Sequence, residues 1–115
     1  MRTLTGACGG CAGYRWVMLR YEVTLEVDPD RVAAVARYMR DVHIPEIFAT
    51  GCFRSIRFER GSGGQLRTSY VAARVADLEE YLRDHAPALR RAFQSTFPAG
   101  IGVARETWTE IAVWE

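Results

Sequence analysis

A chain of 115 residues with 49% hydrophobic and 25% charged side chains and a formal net charge of +1 is one globular domain by size and composition. The near-neutral balance and the lack of any like-charge run exclude a nucleic-acid partner, which needs a concentrated basic field. No apolar run approaches the roughly 18 residues that cross a bilayer, so no membrane partner is expected. All 15 basic residues are arginine, which excludes lysine Schiff-base chemistry.

Residues 1–17 are Gly-rich and carry no hydrophobic period, and Met18 would itself make a natural start. They are expected to be a disordered extension ahead of a domain spanning 18–115. No apolar h-region precedes Cys8, so a signal peptide or lipoprotein anchor is not expected. Three cysteines form no disulfide framework, and reduced thiols in a cytoplasmic protein are the expectation. Cys8-Gly9-Gly10-Cys11 is a CxxC with no second pair at zinc-binding spacing and no strand before it, so neither a metal site nor a redox motif is expected there.

Leu19 to Val27 alternates: Leu19, Tyr21, Val23, Leu25 and Val27 point one way, and Arg20, Glu22, Thr24 and Glu26 the other. That is a half-buried first strand. Asp28-Pro29 reads as a helix entry. Val32, Val35, Ala36 and Met39 follow at helical spacing, with an end near His43, and Pro45 stops the helix or restarts a short turn that Gly51 closes. Residues 53–59 read as a second strand, Gly61-Ser62-Gly63-Gly64 as a flexible turn and 68–75 as a third strand, together a hairpin.

Asp77 with Glu80 three residues later reads as a capping box for a second helix. Leu78, Tyr81, Leu82, Leu89, Phe93 and Phe97 supply its buried stripe, with a kink at Pro87 and an end at Phe97-Pro98-Ala99-Gly100. The last strand is expected over 103–113. The order β-α-β-β-α-β is the ferredoxin-like split βαβ arrangement, an α+β sandwich of a four-stranded antiparallel sheet with two helices on one face.

That topology leaves the other face of the sheet open. On strand four, Thr107, Thr109, Ile111 and Val113 suit the helix-packed core, which puts Trp108 and Trp114 on the open side with Glu22. Indoles exposed among charges mark an interface, and sheet-to-sheet homodimerisation through Trp108, Trp114 and Glu22 is the simplest way to cover them.

Several stretches together resemble an uncharacterised bacterial family, the domain of unknown function numbered 4286. They are Tyr21-Glu22-Val23-Thr24, Val27-Asp28, His43-Ile44-Pro45-Glu46, Ala49-Thr50-Gly51-Cys52-Phe53, Tyr81-Leu82, His85-Ala86-Pro87, Leu89-Arg90 and Phe97-Pro98. The resemblance covers 18–113, leaves 1–17 outside, and is most specific from His43 through Phe53. It implies a ferredoxin-like fold similar to the dimeric α/β barrels, and it brings no established activity and no cofactor.

Candidate chemistry is sparse. The first helix returns to the end of the sheet where strand two begins, so His43 and Cys52 are expected as neighbours, with Glu46 close by. Such a set could supply a thiolate nucleophile or bind a metal; packing of His43 as a helix cap and of Cys52 as a small buried apolar residue is the preferred account. Arg54, Tyr70, Arg74 and Trp108 are the candidate ligand-binding residues. The glycine turn lacks the Lys-Ser/Thr and helix of a phosphate loop. Three functions stand: a non-catalytic homodimer binding a small molecule or protein through the sheet face, a cofactor-independent enzyme of the dimeric-barrel type with a cleft near His43, and a structural protein without a ligand. A cavity of about 300 Å³ or more near His43 favours a site over a filled interface.

Overall fold

A computed structural model of the chain describes residues 18–115. The expectations for residues 1–17, including Cys8-Gly9-Gly10-Cys11, lie outside the described residues. The four strands are β1 (Leu19–Val27), β2 (Ser55–Arg60), β3 (Leu66–Ala72) and β4 (Ile101–Thr109), in the sheet order β2-β3-β1-β4 and antiparallel throughout. Two helical segments connect β1 to β2 and β3 to β4, the ferredoxin-like order expected from the hydrophobic periods.

Each helical segment is an α-helix interrupted by one π-turn. The first runs as α1 (Val32–Tyr38), a π-turn over Met39–His43, and α2 (Ile44–Phe48). The second runs as α3 (Val75–Glu80), a π-turn over Tyr81–His85, and α4 (Ala86–Thr96). Both turns precede a proline, Pro45 and Pro87. A proline inside an α-helix has no N–H to donate, and its ring strikes the carbonyl four residues back. The wider turn relieves both: Ile44 donates to the Met39 carbonyl and Ala86 to the Tyr81 carbonyl, five residues back in each case. Pro45 therefore does not stop the first helix, which continues to Phe48, with Gly51 at φ +79° behind it.

Both expected helix entries differ from the structure. Asp28-Pro29 sits in a turn, where Arg31 N donates to Asp28 O, and α1 starts only at Val32 behind Arg31. Asp77 is not a cap, because α3 begins two residues earlier behind Arg74, and the Asp77 carboxylate accepts from the Arg74 guanidinium instead.

The β1 alternation holds. Leu19, Tyr21 and Leu25 are buried against the helices, and across the registers Leu66, Thr68, Tyr70 and Ala72 of β3 join them. One core cluster gathers Leu19, Tyr21, Ile47, Cys52, Phe53, Tyr70, Leu78 and Tyr81; the second gathers Leu25, Val32, Val35, Met39 and Leu66. Full burial of Ile47, Val32 and Val35 contributes about 1.5–3 kcal/mol each.

The end of the chain corrects the reading of strand four. β4 stops at Thr109, and 110–115 carry no regular structure. Ile111 is 96% exposed and Val113 is exposed as well, so neither joins the helix-packed core, and strand parity says nothing of Trp114. Trp108 lies opposite Arg20 and thus on the open face. No described helix is long and apolar enough to cross a membrane.

Candidate functional site

The helix side of the sheet is not completely filled. Between β1, β4 and the second helical segment lies a cleft of about 430 Å³ lined by Tyr21, Val23, Met39, His43, Tyr70, Tyr81, Arg90, Phe93, Phe97, Val103 and Arg105, among others. Strand pairing explains one wall. Tyr21 opposes Thr107 and Val23 opposes Arg105, so Arg105 points to the helix side along an edge strand that the helices do not cover. The other wall comes from Phe93 and Phe97 of the second segment and from the first π-turn, which directs His43 between Tyr38 and Phe93 at ring separations of 6.1 and 5.5 Å.

The polar groups of the cleft are few. Arg90 Nη2 donates to Tyr21 Oη at 3.0 Å, which ties the second helix to β1. Tyr21, Phe53, Tyr70 and Tyr81 form one aromatic cluster, with centroids 4.9 to 6.5 Å apart. Burial pushes the Tyr81 phenol up to about 12 and Tyr70 higher still, so both stay protonated at neutral pH. Burial among apolar rings lowers His43 to about 4, so its imidazole is neutral at pH 7. His43 Nδ1 is buried with no hydrogen-bond partner among the described residues. No carboxylate lines the cleft among the described residues, whereas two guanidinium groups do.

The sequence candidates do not share one place. His43 and Tyr70 line this cleft; Tyr70 faces the helices, not the open side. Cys52 is not joined to His43. Its polar neighbours are Thr50, whose hydroxyl accepts from Cys52 N, and Glu80 at 3.8 Å, and the nearby imidazole is His85. Burial raises the Cys52 thiol, and the Glu80 carboxylate adds to this. Glu46 is exposed on α2. Arg54 reaches Met18 Sδ at 3.9 Å, and Arg74 is tied to Asp77, both away from the cleft. Trp108 and Glu22 stand on the open face, where Arg20 and Ser69 both donate to Glu22 and Arg67 pairs with Glu59. Arg90 and Arg105 were missed by sequence reading. The alternation of β4 offered the signal for Arg105, which shares parity with Val103 and Thr107.

The sequence profile of the family described as Domain of unknown function (DUF4286) matches residues 18–111. No curated protein sequence matches the chain. Solved structures share the fold at low identity. A protein of unknown function from Nitrosomonas europaea is 17% identical with a TM-score of 0.65, over 87% of this chain and 95% of that one. A monooxygenase from Streptomyces coelicolor, solved with the ligand nanaomycin D, is 14% identical with a TM-score of 0.61, over 86% and 94%. An EthD family protein from Bacillus halodurans is 14% identical with a TM-score of 0.58, over 76% and 96%. The chain thus shares the ferredoxin-like fold of these solved structures, and it belongs to the DUF4286 family.

Proposed function

We propose that the chain is a homodimeric, cytoplasmic small-molecule-binding protein whose ligand is an aromatic organic anion held in the cleft between β4 and the second helical segment. The observation that carries this reading is the cleft itself, about 430 Å³ walled by aromatic rings and edged by Arg90 and Arg105 without a carboxylate. The rings offer stacking surface, the guanidinium groups offer charge-assisted bonds to a carboxylate or phenolate, and the unpartnered His43 Nδ1 offers one further hydrogen-bonding site. This moves the small-molecule site from the open sheet face to the helix side, since Glu22 and Glu59 of the open face already have partners.

Binding is favoured over reaction because His43 lies far below neutrality and Tyr81 and Tyr70 far above it, whereas a general base works best near the operating pH. Calorimetric titration with hydroxybenzoates and naphthoates, set against their neutral amides, tests this directly. The acids should bind and the amides should not, and Arg105→Ala should weaken binding about tenfold or more. Equal affinity for acid and amide overturns the reading.

Homodimerisation through the open face is supported by Trp108, 49% exposed opposite Arg20, and by a balanced set of charges that suits an isologous pairing. Trp108→Glu should give monomers by light scattering. An unchanged particle removes this face from the interface. A second reading, cofactor-independent oxygenation in the same cleft, is favoured by the fold shared with the Streptomyces monooxygenase; oxygen consumption with a bound phenol tests it.

A further inference from the structure

The second π-turn does something an α-helix does not. With 3.6 residues per turn, side chains five positions apart point about 140° away from each other. A π-turn closes on the fifth residue, which brings positions i and i+5 to the same side. Glu80 stands just before the turn Tyr81–His85 and His85 ends it, and His85 Nε2 lies 3.7 Å from Glu80 Oε2. The loop behind α2 brings the Cys52 thiol to the same oxygen, with Sγ 3.8 Å from Glu80 Oε2. The three donor atoms all lie within 4.8 Å of one another.

We propose that Cys52, Glu80 and His85 form a three-ligand Zn²⁺ site with its fourth position open to water. Zinc takes sulfur, nitrogen and carboxylate oxygen at about 2.3, 2.0 and 2.0 Å, and a tetrahedron of those bonds has edges of about 3.3–3.5 Å. The Sγ–Oε2 and Nε2–Oε2 separations exceed those edges by only a few tenths of an ångström, and the Sγ–imidazole separation, within 4.8 Å, closes further by side-chain rotation. A mixed Cys-Glu-His set is one that zinc accepts and magnesium or calcium does not favour. The exposure is also graded in the right sense: Cys52 is buried, while the side chains of His85 and Glu80 are 33% and 50% exposed, so the cation is held from below and meets solvent above. Coordination replaces the Sγ proton, which passes to solvent. No CxxC spacing announces the site, because its ligands come from a loop and from both ends of a π-turn. It lies apart from the cleft, none of whose lining residues it uses; Tyr81 lines the cleft and stacks on His85 at 6.5 Å.

The test is zinc titration against a chromophoric chelator, on the full chain with Cys8→Ser and Cys11→Ser so that only Cys52 remains as thiol. One Zn²⁺ per chain is expected, and Co²⁺ in its place should show thiolate charge-transfer absorption. Cys52→Ser, His85→Gln and Glu80→Gln should each weaken binding about tenfold or more, while Glu79→Gln, one residue away and exposed, should not. Glu80→Gln changes an exposed oxygen for an amide and should leave the melting temperature of the metal-free protein unchanged, separating lost ligation from lost folding. Absence of zinc binding, affinity indifferent to Cys52→Ser or His85→Gln, or a cobalt complex without the thiolate band would each overturn the proposal.

Discussion

The π-turns Met39–His43 and Tyr81–His85 both end in histidine, an apolar residue and proline, and both carry an adjacent Arg-Asp pair on their exposed side. Their histidines nevertheless meet different surroundings. His43 enters an apolar cleft among Tyr38 and Phe93, and His85 lies over Tyr81 beside Glu80 and Cys52. The turn geometry is common to both, so the difference comes from what each helix is packed against. A helical irregularity aims a side chain; the neighbouring element decides what it meets.

Removing the first residue of each turn should produce the largest effects. Tyr81 packs on Tyr21, Phe53 and Tyr70, whereas Met39 fills the smaller aliphatic cluster. Tyr81→Ala should cost about 3–5 kcal/mol and Met39→Ala less, about 2–4 kcal/mol, by urea unfolding. A larger loss at Met39 would reverse the ranking of the two clusters.

Acid probes the histidine of the first turn. His43 has a folded value of about 4 against 6.5 ordinarily, so the unfolded chain takes up a proton that the folded chain refuses between those values. Stability contributed at neutral pH is therefore lost as pH falls from 6.5 towards 4, by about 2–3 kcal/mol. His43→Leu should flatten this part of the stability profile measured by urea unfolding at a series of pH values. Persistence of the full slope in that variant would place its origin elsewhere.

The smallest difference is expected on the outer side of the turns. The pairs Arg40–Asp41 and Arg83–Asp84 are exposed neighbours in the chain, screened by water on all sides. Asp41→Ala and Asp84→Ala should leave the denaturation midpoint unmoved, and a clear shift in one alone would show that the two outer surfaces are not equivalent.

Much of the fold was legible in local pattern. The alternation of Leu19 to Val27 announced β1 and its buried face, and the glycine turn at 61–64 announced the hairpin. Helix boundaries were less so: Asp28 and Asp77 looked like caps but lie in a turn and inside a first helical turn. The pairing of His43 with Cys52 was inferred from the direction of the first helix alone, and it failed because the π-turn rotates His43 toward the second helix. The tail at 110–115 misled for a simpler reason: its apolar alternation is that of a strand, but no element among the described residues covers it.

Sequence by itself determined the element order, the α+β class and which face of β1 is greasy, because periods of two and 3.6 residues are properties of neighbouring residues along the chain. Tertiary structure alone decided that Arg90 and Arg105 flank one cleft, and that Cys52 meets Glu80 and His85 in preference to His43. Those meetings, like the bond from Arg90 to Tyr21 69 positions away, join residues across separate elements. No local spacing encodes them, since they depend on how far each helix turns before it reaches the sheet.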